Sequence, residues 1–129
     1  MSHTIKVKRG WAFEGESIDR EETLTGGQLV TIDEDIPDST TDDLVALTLD
    51  VSQIQAIFIT SNQAITLETN NGSAPDDTIT LAANGCVIWT TADGATLRPL
   101  QTDVTALYVT NASGSTATLR CRFLVDPTV

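Results

Sequence analysis

Only two lysines, Lys6 and Lys8, occur in these 129 residues, and only one histidine, His3. Seven Lys and Arg stand against eighteen Asp and Glu, for a formal net charge of −11. Phosphate backbones are bound by clustered Lys and Arg, so the balance excludes direct nucleic-acid binding. The same charge opposes docking on an anionic membrane. The single histidine lies in the N-terminal segment with no orienting partner in sight, which excludes a histidine-based triad. Neither a GxSxG nor an HExxH pattern occurs, and Gly26-Gly27 is not followed by the GK[ST] of a phosphate loop. Only two cysteines occur, Cys86 and Cys121, without CxxC or Cys/His metal spacing. No apolar run approaches the ~18 residues of a membrane span. The first ten residues lack the apolar core of a secretory signal, so synthesis in the cytoplasm is expected.

These absences predict a protein that is not an enzyme and needs no cofactor. Metal binding gets one candidate. Asp33, Asp35, Asp38, Asp42 and Asp43 crowd one segment, but an EF-hand loop needs a central Gly and a distal Glu that this segment does not supply. A solvated acidic loop over Asp38–Asp43 is the expectation, and no metal site is predicted.

Aromatic residues make up only 5% of the chain, so the core must be built from Ile, Leu, Val and Ala. Abundant Thr and Val favour strands over helices. The pattern is plainest from Asp103 to Asp126. Thr105, Leu107 and Val109 share one face, and then Leu119, Cys121, Phe123 and Val125 alternate with Arg120 and Arg122. A period of two with β-branched and aromatic residues marks half-buried strands, and Asn111–Thr116 between them is turn chemistry. An antiparallel hairpin is predicted there. Both cysteines lie in apolar strand runs, which predicts two buried free thiols or, alternatively, a disulfide between adjacent strands.

Further strands are read at Gln28–Ile36, Leu44–Leu49, Ile54–Thr60 (a central strand), Ala64–Thr69, Thr78–Leu81 and Cys86–Thr91. Asn70–Asp77 is a turn with Asn71-Gly72 as its pivot. Pro99 makes Leu97–Leu100 an edge or a crossing. Short strands separated by turn signals, with no convincing helix, predict an all-β, single-domain antiparallel β-sandwich, specifically a jelly roll.

The N-terminal segment stands apart. Residues 1–10 hold both lysines beside Arg9, and Ile5 and Val7 alternate with Lys6 and Lys8. This predicts a basic strand-like arm on an acidic body, with the sandwich over 11–129. Ile5, Lys6, Val7, Lys8 and Arg9 are the candidate interface, pairing with the sheet edge or acidic surface of a neighbour. The bland alternative is an edge strand whose lysines discourage aggregation.

LAANGCVIWT at Leu81–Thr90, Leu97-Arg98-Pro99-Leu100, DVTALYVTN at Asp103–Asn111 and ATLRCRFLVD at Ala117–Asp126 together resemble small tailed-bacteriophage virion proteins of the capsid decoration (cement) or minor head type. The resemblance covers about the last 50 residues. The acidic stretch from Glu14 to Asp50 has no place in that pattern. The resemblance implies a jelly-roll fold and a location in the virion. It also implies binding to the major capsid protein or another virion protein, and a homo-oligomer, with a trimer favoured. The alternative is a carbohydrate- or receptor-binding β-sandwich. Trp89 separates the two: exposed among polar groups for sugar binding, buried for a structural module.

Overall fold

The computed structural model describes residues 2–128. Ten strands follow one another: β1 His3–Phe13, β2 Glu16–Gly26, β3 Gln28–Ile36, β4 Thr40–Val45, β5 Ile54–Ser61, β6 Ile65–Thr69, β7 Thr78–Leu81, β8 Cys86–Thr90, β9 Leu107–Asn111 and β10 Ala117–Val125. Short 3-10 turns occupy Val51–Gln53, Thr91–Asp93 and Ala95–Leu97, and no α-helix occurs among the described residues. β1 and β2 form a separate two-stranded ribbon. The other eight form two four-stranded sheets, in the orders β3-β10-β5-β8 and β4-β9-β6-β7. All pairings are antiparallel.

The sheets face each other as a sandwich, as the period-two pattern predicts. β10 sends Ala117, Leu119, Cys121, Phe123 and Val125 inward, where Ile57 and Ile59 of β5 and Ile32 and Ile36 of β3 join them. Leu107 and Val109 of β9, Ile65 and Leu67 of β6, and Ile79 and Leu81 of β7 meet them from the other sheet. β5 lies between β10 and β8, which makes it the central strand that its apolar run requires.

The predicted hairpin over Asp103–Asp126 does not form. β9 pairs with β4 and β6, whereas β10 pairs with β3 and β5 in the opposite sheet. The turn between them therefore crosses the end of the sandwich. Asn111, fully buried, holds it there. Its side-chain amide donates to the carbonyls of Ile36 (2.9 Å) and Ser115 (2.9 Å), and its carbonyl oxygen accepts from the Ser113 N–H (3.0 Å). The β3–β4 turn crosses beside it, and the Asp38 carboxylate accepts from the Gly114 N–H at 2.8 Å. Alternation tells which face of a strand is buried, but not which strand lies alongside, so the turn signal was right and the pairing was not.

Three smaller expectations change. The acidic loop ends sooner, because β4 begins at Thr40 and Asp43 pairs with Val109. Its carboxylates disperse: Asp33 meets Arg120 and Arg122, Asp35 accepts from the Thr118 hydroxyl, and Asp38 caps the neighbouring turn. At the β6–β7 turn the residue in the left-handed region is Asn70 (φ 69°), not Gly72. Cys121 is buried but Cys86 is exposed, and both are free thiols. Cys86 opens an edge strand, where nothing covers its outward side.

One irregularity in β10 leads to the site. Leu124 and Val125 are consecutive, on opposite sides of the strand, and both buried. Val125 joins the core, while Leu124 and its cross-strand partner Ala56 lie on the outer face of the sheet. That face should be wet. It is dry at this point because the β1–β2 ribbon lies over it.

A latched hairpin as the candidate docking site

β1 and β2 are in full register, from His3 opposite Gly26 to Phe13 opposite Glu16. Glu14 (φ 45°) and Gly15 (φ 83°) close the ribbon, both with positive φ as a tight type I′-like hairpin turn requires. Residues alternate between two faces. Ile5, Val7, Arg9, Trp11 and Phe13 share one face with Ile18, Glu22 and Leu24 across the pair. Lys6 and Lys8 share the other with Glu21 and Thr23.

The root of the ribbon is pressed against the sandwich. A Cβ on Gly26 would stand 2.7 Å from the Val125 carbonyl oxygen and 2.9 Å from Leu124 Cγ, so only glycine lets the chain pass there. Ile5 and Val7 turn toward the outer face of the β3-β10-β5-β8 sheet. Between them and that face runs a groove of about 380 Å³, lined by Leu29, Ala56, Phe58, Ile88 and Leu124, and flanked by Lys6, Lys8 and Arg122.

Farther along, a charged network ties the ribbon to the end of β8. Arg9 donates to the Glu22 carboxylate from one guanidinium nitrogen and to Asp93 Oδ2 (3.0 Å) from the other. Glu22 also accepts from the hydroxyl of Thr90, which is fully buried, and Asp93 accepts from the Thr90 N–H at 2.9 Å. The Thr90 and Arg9 hydrogen bonds hold the Glu22 carboxyl below its ordinary range. Burial pushes the Asp93 carboxyl up, but the bonds from Arg9 and Thr90 outweigh it and leave it lowered. Asp93 and Glu22 in turn raise the Arg9 guanidinium further.

Beyond this latch the ribbon leaves the sandwich, and every residue from Gly10 to Glu21 is exposed. Its tip carries large apolar side chains on the face that the root buries: Trp11 (66% exposed), Phe13 (60%) and Ile18 (60%), with Trp11 opposite Ile18.

The five residues predicted as the interface thus divide. Ile5 and Val7 are half-buried and line the groove over the chain's own sandwich, and Arg9 binds it through Asp93. Lys6 and Lys8 are exposed, and both reach the same carboxylate, Glu21, at 3.8 and 3.7 Å. The strand also runs past Gly10 to Phe13, so the arm is the whole ribbon. The sequence reading stopped before Trp11 and Phe13. The signal was present, since they continue the 5, 7, 9 alternation into the Glu14-Gly15 turn. Trp89 is buried, its indole N–H donating to the Gly94 carbonyl (2.9 Å) and its ring under the Arg98 guanidinium at 5.7 Å. Among the described residues no group of three or more His, Cys, Asp or Glu is placed to hold a metal ion.

No family model, no curated protein and no solved structure matches the chain.

Proposed function

We propose that the chain is a non-enzymatic structural protein of a tailed-phage virion, a capsid decoration (cement) protein that binds and stabilises the shell of major capsid protein. The observation that carries this reading is the latched ribbon. A sandwich with a closed core extends an arm, fixes its root with an ion-pair network, and leaves aromatic side chains bare at its end. Exposed Trp and Phe at a projecting tip are anchors for another protein surface. The strand orders support reading the sandwich as a jelly roll. Six of the seven connections between its eight strands pass from one sheet to the other, with β6–β7 the one link within a sheet, the order that two interleaved Greek keys require. The burial of Trp89 favours a structural module over a sugar-binding one. The chain works on the virion as a homo-oligomer, with a trimer expected from the resemblance.

The test has two stages. The coding region should lie beside portal, protease and major capsid genes. Shells assembled from that neighbouring capsid protein should then bind the purified chain in co-sedimentation and resist heating better when decorated. Shells that bind none of it would overturn the reading. The exposed Trp11 keeps the carbohydrate- or receptor-binding alternative in play, and binding to a defined sugar on a glycan array, abolished by Trp11→Ala, would establish it instead.

A further inference from the structure

Two features of the surface fit each other and not themselves. The ribbon tip is an apolar wedge of Trp11, Phe13 and Ile18 with an acidic border. From Gly10 to Arg20 it holds Glu14, Glu16 and Asp19 against Arg20, a net charge of 1 − 3 = −2. The groove at the ribbon root has an apolar floor of Leu29, Phe58 and Ile88 and a cationic border. That border is under-neutralised. Of its three cations, Lys6 and Lys8 share the single carboxylate Glu21, and Arg122 shares Asp33 with Arg120, which lies outside the groove. On a chain of net charge −11, these are places where cations outnumber their partners.

The geometry points to a head-to-tail contact between copies: the tip of one chain seats Trp11 and Phe13 in the root groove of the next. Charge complementarity selects the second copy as occupant, since the rest of the surface is acidic and would repel an acidic tip. The groove volume of about 380 Å³ suits one or two large side chains. A tip cannot enter its own groove, because the latch points it away beyond β8. Donor and acceptor surfaces differ, so the contact is heterologous and closes into a ring or continues as a filament. Like-charged bodies favour the smallest ring that closes, and each subunit in it gives one contact and takes one. This rests on the homo-oligomeric part of the proposed function and is independent of the capsid: a monomer that still binds shells would overturn the contact and leave decoration standing.

Sedimentation of the full chain at 0.15 M salt, up to concentrations on the order of 100 μM, tests it. The wild type should self-associate. Trp11→Ser, at the tip, and Phe58→Glu, in the groove, should each weaken self-association at least about tenfold. Both sites are exposed, so unchanged circular dichroism and melting are expected; Leu29→Glu serves as a second groove variant if Phe58→Glu misfolds. An equimolar mixture of the Trp11 and Phe58 variants should restore one contact only, giving heterodimers of 2 × 13.8 kDa that grow no further. A wild type that stays monomeric overturns the proposal. So does a Trp11 variant that remains oligomeric, and so does loss on Trp11→Ser without loss on the groove variants, which would place the tip on another surface or against another tip.

Discussion

Arg9 and Asp93 are 84 residues apart in the chain and 3.0 Å apart in space, and their contact fastens the ribbon to the sandwich at the end of β8. Arg9→Ala should therefore release the ribbon rather than unfold the body. A half-buried charge-assisted hydrogen bond is worth about 1.5–3 kcal/mol. The expected result is faster hydrogen exchange at β1 and β2 amides with little change in the β5 and β10 amides. Uniform acceleration through both sheets would show that the latch holds the whole fold.

The same latch should be acid-sensitive. Glu22 and Asp93 have lowered pKa values in the folded chain, against about 4.3 and 3.9 when unfolded. A lowered folded pKa contributes stability above the unfolded value and loses it as pH falls through the folded one. Arg9 stays protonated throughout. Ribbon docking should thus be intact at neutral pH and weaken progressively below about pH 4. The Arg9 side-chain N–H resonances report it, and constant shifts down to about pH 2 would refute it.

Phe123 is buried in the core between the sheets. Phe123→Ala should destabilise the sandwich by about 3–5 kcal/mol, the usual cost of emptying a buried aromatic site. Arg122→Ala, on the outward face, should cost far less, since its partner Asp33 is largely exposed. Urea denaturation of both variants gives the comparison.

Gly26→Ala places a Cβ against the Val125 carbonyl, a backbone atom that cannot swing away. Overpacking of this kind costs about 1–3 kcal/mol. Because Gly26 joins the ribbon root to β10, the variant should lose ribbon protection along with stability. A melting temperature equal to wild type would mean that the root adjusts freely.

The two thiols should differ sharply. Cys86 is exposed and should react at once with a thiol reagent, giving one equivalent per native chain. Burial pushes the Cys121 thiol up to about 12, so it should react only on unfolding. Because that pKa is raised, its contribution to stability is complete below the unfolded thiol value of about 8.5 and declines above it. Two fast equivalents in the native chain would contradict the burial of Cys121.

The alternation of Leu119, Cys121, Phe123 and Val125 with Arg120 and Arg122 was sufficient to identify a strand and its buried face. Side-chain direction in a strand is a local property of period two. The same local chemistry placed the turns, the all-β class, the central strand at Ile54–Thr60 and the amphipathic arm beginning at Ile5. Tertiary structure alone decided the partners. β9 and β10 are neighbours in sequence but belong to opposite sheets, because Asn111 binds groups on both sides of the crossing. Leu124 and Ala56 are dry on an outer face only because the β1–β2 ribbon, at the other end of the chain from Leu124, covers them. The basic character of the arm is offset by Glu21, Glu22 and Asp93, and its exposed end is Trp11, Phe13 and Ile18. No local pattern determines where a ribbon outruns the sheet beneath it; that depends on the width of the sheet and the position of the latch.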